Sequence, residues 1–583
     1  MLTFNLRGPA LEGRRSILLA SLVLVTLTAA IKFPSAQLYE SFLDTDDALR
    51  IVLVRQLLAG QPWFENIVPR ALPPHGLDIH WSRLVDGGIA ALILMFRTMM
   101  SPAGAEAAAR FAWPLLWLVP AVIAVLSMAR RLGGSAAVIV ALLLLFLNPP
   151  NFVQFIPGRI DHHNVQIALT LIATACLIFS DRGRWAAAGA GLASGAVLGI
   201  GFEALPFALL TAAAMGIWWV IVPGRQQHLR SYVLALCVSA VGMHVAQTAP
   251  AHWLGTACDA LAWNVVAAVL AGGIWILLAS FSARLSHARS NRLLALAGAA
   301  GLATACFLIL RPNCVRGPLA DVDPRLWPLF LDHVEEMKPF WTILKFSWLE
   351  VTAYWTPFFG LATLVMMLWN AERRAQPQWV IILTFALVTT TLGVLHVRMS
   401  SYAVWFAVPA IAGAAAQVRW IRDRALVPSI VAVLLASSLL PAVLVASLET
   451  PRSVSRSCSP QTDVRALAGL EPGLVFAHLN LGSAILANTP HSIVVAPYHQ
   501  MTEGFIAFHE IMEGTPAAAY RRIGELGVQY LAMCVPQKVQ EANNLPTLLA
   551  NGEIPEWLDL VQEDGELRIY RVRRARGGSL VSR

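Results

Sequence analysis

Two short polar segments of the chain carry residue types that bind hard metal ions. The first, DTDD (residues 44–47), contains three carboxylates, and clustered carboxylate oxygens can hold a divalent cation. The second is GRIDHHN (residues 158–164), in which Asp161 and His163 alternate and would point to the same side of an extended segment. Aspartate together with histidine suits Mn²⁺, Mg²⁺ or Zn²⁺. Either segment could instead be a solvated loop or a helix cap, and the residues alone leave both interpretations open.

Two further positions could contribute charge to the same chemistry. The stretch HVEEMKPFW (residues 333–341) contains Glu335 and Glu336, and Arg398 follows a long apolar run. A guanidinium group can bind phosphate through two parallel N–H groups. The alternatives are surface carboxylates and an arginine that extends its charge from the bilayer to the interface.

Apolar runs separate these polar segments and must position them. Of the 583 residues, 57% are hydrophobic and only 13% are charged, whereas about a quarter are charged in soluble globular domains. Runs of about 20 apolar residues form membrane-spanning helices, because backbone amides in lipid must bond internally. Arginines cluster in the short loops of one side, and this positive-inside pattern accounts for the net charge of +8 without nucleic acid. The pattern predicts a polytopic α-helical membrane protein with about 13 spans and a cytoplasmic N-terminus.

The same alternation places the polar segments together on the non-cytoplasmic face. Residues 1–448 form the predicted transmembrane domain, with external loops at residues 35–106, 148–164 and 311–345. In the first loop, residues 89–96 are too short to span the bilayer and are interpreted as an interfacial helix. Glu203, in the external turn GFEALP, is interpreted as an interfacial anion.

The C-terminal part of the chain has a different, mixed composition. Residues 449–583 are predicted to form a periplasmic α/β domain, with strands in GLVFAHL, SIVVAPY and VQYLAMC. Helices are predicted near residues 516–526 and 537–550. Cys458 and Cys534 lie in this domain, where an oxidising compartment would allow them to form a disulfide.

In plan and in the order of its motifs, the chain resembles the catalytic subunit of oligosaccharyltransferases, a family of glycosyltransferases with the GT-C fold. The resemblance covers nearly the whole chain, including the large first external loop and the C-terminal α/β domain. The stretch DTDDALRIVLVRQLLAG is similar to the family's first acidic motif, and counting back from Ala59 and Gly60 places the metal-binding aspartate at Asp46. GRIDHH is similar to the second motif and supplies Asp161 and His163, although His163 stands where the family has a carboxylate.

The remaining motifs of the family fall on Glu336 and Arg398. Glu336 matches the glutamate of the family's flexible loop, and Arg398 matches the arginine that contacts the lipid-linked phosphate. The resemblance implies a divalent metal, Mn²⁺ or Mg²⁺, held by Asp46, Asp161, His163 and Glu336. It also implies that Asp46 and Glu336 are catalytic, with Asp47 as a substitute for Asp46 in orienting or deprotonating the acceptor. His80 and Trp81, in the first external loop, could line the acceptor groove, or they could simply pack within the loop.

The acceptor half of the family's site is absent from the sequence. The motif WWDYG, which reads an Asn-x-Ser/Thr peptide, is replaced by AHLNLG (residues 477–482). The resemblance therefore implies transfer of a sugar or oligosaccharide from a polyprenyl phosphate or diphosphate to a glycan, lipid or protein, at the periplasmic face of a bacterial inner membrane. The alternatives are a flippase or transporter of lipid-linked sugars and an inactive scaffold. The acidic residues lie at the outer surface rather than at mid-span, which argues against ion-coupled transport.

Overall fold

Helices make up most of the chain up to residue 448, in agreement with the apolar runs. The computed structural model describes residues 13–32, 42–345, 347–418, 426–448, 462–534, 543–564 and 567–573. Its first eleven helices are α1 (Arg14–Lys32), α2 (Thr45–Leu58), α3 (Arg83–Arg97), α4 (Pro102–Leu147), α5 (His163–Phe179), α6 (Arg184–Ile200), α7 (Leu205–Ile221), α8 (Gln226–Gln247), α9 (Trp263–Phe281), α10 (Ala283–His287) and α11 (Arg289–Leu310). A small antiparallel hairpin of β1 (Ile67–Val68) and β2 (Leu77–Asp78) lies between α2 and α3. The helices that follow are α12 (Leu326–Leu329), α13 (Phe340–Ile343), α14 (Trp348–Val351), α15 (Trp355–Leu368), α16 (Ala371–Arg374), α17 (Pro377–Leu395), α18 (Ser400–Ala415), α19 (Leu426–Ala436) and α20 (Leu439–Leu448).

Eight helices within the described residues are long and apolar enough to cross a membrane, and α19 with α20, bent by 56°, could form a ninth span. Helix α4 is 46 residues long and is interrupted at Gly133 and Gly134. Gly134 has a φ of 65°, a left-handed conformation that glycine adopts at no steric cost. The interruption separates two apolar runs, residues 107–129 and 136–147, that the sequence predicts as two spans, so α4 covers both. The shorter helices α1, α6 and α18 also consist mainly of apolar residues.

The C-terminal domain contains a mixed five-stranded sheet. Its strands are β3 (Leu474–Ala477), β4 (Ser492–Ile493), β5 (Tyr530–Cys534), β6 (Leu558–Asp564) and β7 (Leu567–Val572). They lie in the order β4-β3-β5-β7-β6, with β3 parallel to β4 and β5, and β7 antiparallel to β5 and β6. The helices of this domain are α21 (Gly482–Asn488), α22 (Thr502–Glu513), α23 (Pro516–Leu526) and α24 (Leu545–Ala550).

The predicted strands and helices of this domain are present, with differences in length. The strand in SIVVAPY is only two residues long, because the chain leaves the sheet after Ile493. Helix α23 has the predicted limits. The other predicted helix is described only as α24, since residues 535–542 lie outside the described residues. Helices α21 and α22 and the hairpin of β6 and β7 were not predicted.

The first external segment and the C-terminal domain share one hydrophobic core. Buried side chains of α2 and α3, such as Leu49 and Ile89, belong to the same cluster as Val475 and Phe505 of the sheet domain. A parallel bridge between Ala71 and Ile493 extends the sheet at its β4 edge. The C-terminal domain is therefore fixed to the segment that carries the DTDD motif.

The disulfide-bonded cysteines lie outside the long apolar helices. Cys258, in the loop between α8 and α9, forms a disulfide with Cys314, which follows α11. This pair was not predicted, since its cysteines lie 56 residues apart in no recognisable motif. Cys534 is disulfide-bonded, and Cys458, its predicted partner, lies outside the described residues.

Candidate functional site

The DTDD motif forms the start of α2 and is fastened to the GRIDHHN segment. Asp44 stands at the N-cap position of α2 but its side chain does not cap the helix. Instead, its Oδ2 accepts a hydrogen bond of 2.7 Å from Arg159. Asp47 is fully buried, and its Oδ1 accepts hydrogen bonds from the backbone N–H groups of Ile160 (2.8 Å) and Asp161 (3.1 Å). Asp47 therefore holds the second motif in place.

Asp161 and His163 meet at the N-terminus of α5. The segment is not extended as predicted, because it turns directly into the helix at His163. The two side chains nevertheless approach, with Asp161 Oδ2 3.1 Å from His163 Nε2. The other oxygen, Oδ1, accepts the backbone N–H of His162 at 2.6 Å. Oδ2 is buried and has no hydrogen-bond partner.

Glu203 and Arg398 complete the surroundings of His163. Glu203 lies in the 3₁₀ turn Phe202–Ala204 between α6 and α7, and its Oε1 is 2.8 Å from His163 Nδ1. Arg398, at the outer end of α17, donates from Nε to His163 Nε2 at 3.1 Å and lies 3.3 Å from Glu203 Oε2. Glu203 is thus a central member of the cluster rather than only an interfacial anion. Its position next to a turn was visible in the sequence, but its partners come from distant helices.

Glu336 approaches the cluster from the long external loop. It lies in the 3₁₀ turn Glu335–Met337, and its Oε2 is 3.7 Å from Arg398 Nε. The backbone of this loop is fixed nearby, because Val397 donates its N–H to the carbonyl of Lys338 at 3.1 Å. The Glu336 side chain is 53% exposed, so this carboxylate borders the open side of the site.

Asp46 is half-buried and lies within the electrostatic field of the same groups. Burial raises the pKa of Asp46 well above its ordinary value, and the carboxylates of Asp161 and Asp44 raise it further against the opposing effect of Arg398. Burial likewise opposes ionisation of Asp161, but the charges of His162 and His163 hold its pKa well below the ordinary range. The cluster therefore concentrates negative charge that a cation would neutralise.

Trp81 and His80 face different neighbours. The guanidinium of Arg50 lies over the Trp81 ring at 4.4 Å, and Trp81 makes an edge contact with Tyr498 at 5.7 Å between ring centres. Arg50 also comes within 3.7 Å of Asp161 Oδ1, so Trp81 borders the acidic cluster. His80 is turned away from it and contacts Gln500 and Asp259.

The donor set around Asp161 fits a divalent cation. Among the described residues, Asp161, His162 and His163 offer ligand atoms within 4.8 Å of one another. Oε1 of Glu203 lies 2.8 Å from His163 Nδ1, whereas His163 Nε2 accepts from Arg398 and would have to be released by it to bind a cation. A carboxylate behind a histidine is the usual support of a metal-binding imidazole. Of the other predicted ligands, Asp46 and Glu336 lie around Arg398, and neither is within that group of three.

The structure also describes residues 477–482, which stand where the oligosaccharyltransferase family has its WWDYG motif. Residues 477–482 run from the end of β3 through the 3₁₀ turn Leu479–Leu481 into α21. Gly482 packs so tightly against the carbonyl of Val495 that a Cβ atom would lie 2.3 Å from that oxygen. This segment is a packed part of the domain core without an acidic or tryptophan side chain.

Comparison with solved structures gives the fold a precedent. The chain is similar to the apo form of the oligosaccharyltransferase of Archaeoglobus fulgidus, with a TM-score of 0.66, 16% sequence identity, and coverage of 90% of this chain and 69% of that one. It matches the same archaeal enzyme in complex with an inhibitory peptide and a dolichol-phosphate with a TM-score of 0.66 and 16% identity over 88% and 69% of the two chains. For the complex of that enzyme with Zn and sulfate, the TM-score is 0.60 and the identity 14% over 89% and 68%. No family model matches the chain, and no curated protein matches its sequence. The chain therefore has the fold of these archaeal structures, in agreement with the GT-C fold that its sequence predicts.

Proposed function

We propose that this protein is a metal-dependent membrane glycosyltransferase. It transfers a sugar or oligosaccharide from a polyprenyl phosphate or diphosphate to an acceptor at the periplasmic face. The observation that carries the proposal is the buried, unpartnered Oδ2 of Asp161 facing Nε2 of His163, with Arg398 beside both. The fold supports it, because the similar archaeal structures are of an oligosaccharyltransferase, in one case with dolichol-phosphate bound.

The donor half of the site uses the metal cluster and Arg398. Asp161 and His163 would hold Mn²⁺ or Mg²⁺, with Asp46 and Glu336 completing the shell from α2 and the external loop. When bound, a divalent cation neutralises charge that develops on the leaving phosphate. Arg398 has N–H groups directed at His163 and Glu203, and it would turn the same donors toward the phosphate oxygens. The similar archaeal enzyme has been solved in complex with Zn and sulfate, which supports the binding of a cation and an oxyanion by a protein of this fold.

The transfer step requires a base near the acceptor. The bond between the sugar C1 and the phosphate oxygen breaks, the bond between C1 and the acceptor heteroatom forms, and the acceptor proton passes to a carboxylate. Asp46 suits this role because it stands at the start of α2 beside the cluster and is only half-buried, so an acceptor can reach it. Asp47 is less suited, because its Oδ1 already accepts two backbone N–H groups and its Oδ2 lies 3.3 Å from Arg159.

The acceptor is expected to differ from an Asn-x-Ser/Thr peptide. Residues 477–482 supply no aspartate or tryptophan to read such a peptide. Trp81 is half-buried beside Arg50 and the acidic cluster and packs against the buried Tyr498, so the Trp81 ring is the aromatic group that could contact an acceptor. The proposed acceptor is a glycan or glycolipid.

The disulfide supports the proposed orientation. Cys258 and Cys314 lie in two loops that the arginine distribution assigns to the same, non-cytoplasmic side. Disulfides form in oxidising compartments such as the bacterial periplasm. We therefore place the site on the periplasmic face of an inner membrane, with the N-terminus in the cytoplasm.

The test is release of lipid phosphate from polyprenyl-linked sugars by membranes that contain the protein. The proposal expects release that depends on Mn²⁺ or Mg²⁺ and is lost in Asp46→Asn and Glu336→Gln. Glu335→Gln, which alters the neighbouring exposed carboxylate, serves as the matched control and should keep its activity. Offering an Asn-x-Ser/Thr peptide in the same assay tests the acceptor, and glycosylation of that peptide would contradict the proposed change of acceptor.

Two other functions predict different outcomes in this assay. A flippase or transporter would change the distribution of lipid-linked sugar across the bilayer without releasing lipid phosphate. An inactive scaffold would show neither activity, and the Asp46 and Glu336 variants would behave as the wild type. Either result would reject the proposed transferase.

A further inference from the structure

A second cluster of metal-binding side chains lies outside the proposed catalytic site. His80 follows β2 in the first external segment, Asp259 follows Cys258 in the loop between α8 and α9, and His499 precedes α22 in the C-terminal domain. Their ligand atoms all lie within 4.8 Å of one another. The three residues thus come from three separate parts of the chain and converge at one point.

The geometry of this cluster is close to that of a metal site. Asp259 Oδ2 lies 3.6 Å from His80 Nδ1 and also 3.6 Å from His499 Nε2. Ligand atoms of a tetrahedral zinc ion with bonds of about 2.0–2.1 Å are separated by about 3.3 Å. A small inward movement of the side chains would therefore be enough to bind an ion.

The residue types point to zinc. Two imidazole nitrogens and one carboxylate oxygen form a frequent zinc set, and a water completes the tetrahedron. The side chains of His80, Asp259 and His499 are 36%, 29% and 25% exposed, so an ion and a water can reach them. Gln500 Nε2 lies 2.9 Å from His80 Nδ1, the nitrogen that would bind the ion. A bound cation would displace this amide group.

The neighbours of the three ligands are restrained by a disulfide and by an aromatic contact. The disulfide between Cys258 and Cys314 restrains the residue next to Asp259. The residues that follow His80 and precede His499 are Trp81 and Tyr498, which contact each other at 5.7 Å between ring centres. An ion bound by the two histidines would therefore hold these two rings together at the edge of the acidic cluster.

We infer that His80, Asp259 and His499 bind Zn²⁺ with a water as the fourth ligand, and that this ion links the C-terminal domain to the first external segment and to the α8–α9 loop. The site is separate from the group of Asp161, His162 and His163. It does not require that the protein be a glycosyltransferase. Its role is to hold the contact between Trp81 and Tyr498 next to the acidic cluster.

The test is the zinc content of the purified full-length protein after equilibrium dialysis against Zn²⁺. Wild type and Asp259→Asn are compared, and His75→Gln is the matched control because His75 is an exposed histidine of the same external segment. The inference expects Asp259→Asn to bind one equivalent less than wild type, while His75→Gln binds as much as wild type. Asp161→Asn should keep the equivalent that Asp259→Asn loses, which separates this site from the proposed catalytic one. Equal zinc content in wild type and Asp259→Asn would overturn the inference.

Thermal unfolding and gel filtration distinguish a variant that has lost the zinc site from a variant that is misfolded. Zn²⁺ should raise the midpoint of thermal unfolding of wild type and of His75→Gln by the same amount, and it should raise the midpoint of His499→Gln by less. Both variants should elute as wild type does in gel filtration without zinc. An equal rise of the midpoint in His499→Gln would contradict the proposed ligand set.

Discussion

Nδ1 of His163 lies 2.8 Å from Oε1 of Glu203, and this contact joins the start of α5 to the turn before α7. A carboxylate on the Nδ1 side of a metal-binding histidine orients the ring so that the opposite nitrogen can bind the metal. That opposite nitrogen, Nε2, lies 3.1 Å from Oδ2 of Asp161 and accepts a hydrogen bond from Arg398. Glu203 therefore sets the orientation of the histidine in the proposed metal site.

We expect Glu203→Gln to weaken metal binding more than it weakens the chemistry. Loss of a carboxylate that supports a metal-binding histidine typically costs about 10–100-fold in metal affinity or activity. In a titration of turnover with Mn²⁺, the half-saturating Mn²⁺ concentration should rise by about that factor, and excess metal should restore part of the rate. Glu106→Gln, which removes the partner of Arg55 at the surface, is the control and should leave the titration unchanged. An unchanged Mn²⁺ requirement in Glu203→Gln would show that Glu203 does not support the site.

Arg398 is expected to require its planar guanidinium and not only its charge. Its Nε contacts both His163 and Glu203, and a lysine cannot reproduce this fork of donors. Removing a preorganised donor to developing negative charge costs about 100–1,000-fold in kcat. We predict a loss of about that size in Arg398→Gln and a smaller loss in Arg398→Lys, measured as release of lipid phosphate. Full activity of Arg398→Lys would show that charge alone suffices.

Asp47 is predicted to contribute to stability. Replacing it with alanine leaves the buried N–H groups of Ile160 and Asp161 without their acceptor, and each such loss costs about 1–3 kcal/mol. Asp47→Ala should therefore lower the free energy of unfolding in mixed detergent micelles by at least about 1–3 kcal/mol. Asp47→Asn keeps an acceptor oxygen and should lose less. Equal losses in the two variants would contradict the assigned hydrogen bonds.

The same residue should make stability depend on pH. Burial raises the pKa of Asp47 from 3.8 to about 6, against the lowering effect of Arg159. Because the folded state then binds the proton more tightly than the unfolded state, stability falls as the pH rises from about 4 through 6. Asp47→Asn removes this titration, so it should gain stability relative to wild type across that interval. A constant difference between the two proteins over this range would refute the raised pKa.

Much of the architecture could be predicted because it depends on local patterns. Apolar runs and arginine clusters placed the helices, and the fold of the similar archaeal structures agrees with the predicted plan. The motif residues could be selected in the same way, since each lies within a short segment such as GRIDHHN.

The contacts that define the site depend on distant parts of the chain and were not predictable. Glu203 reaches His163 only because α5, α6 and α7 pack side by side, and nothing in GFEALP marks that partner. His80 and Trp81 are neighbours in sequence, yet one contacts Asp259 and the other contacts Arg50, because adjacent side chains of an extended segment point to opposite sides. The disulfide of Cys258 with Cys314 likewise joins two loops that only the folded helices bring together.

The most direct test of the proposed metal-dependent transfer measures bound Mn²⁺ and released lipid phosphate in the same samples. Purified wild type, Asp161→Asn and Asp332→Asn are titrated with Mn²⁺ in the presence of a polyprenyl-linked sugar, with Asp332 as an exposed acidic control from the external loop. We predict that wild type and Asp332→Asn bind Mn²⁺ and release lipid phosphate in parallel, and that Asp161→Asn does neither. Release of lipid phosphate by Asp161→Asn at the wild-type rate, or by wild type without any divalent metal, would contradict the account.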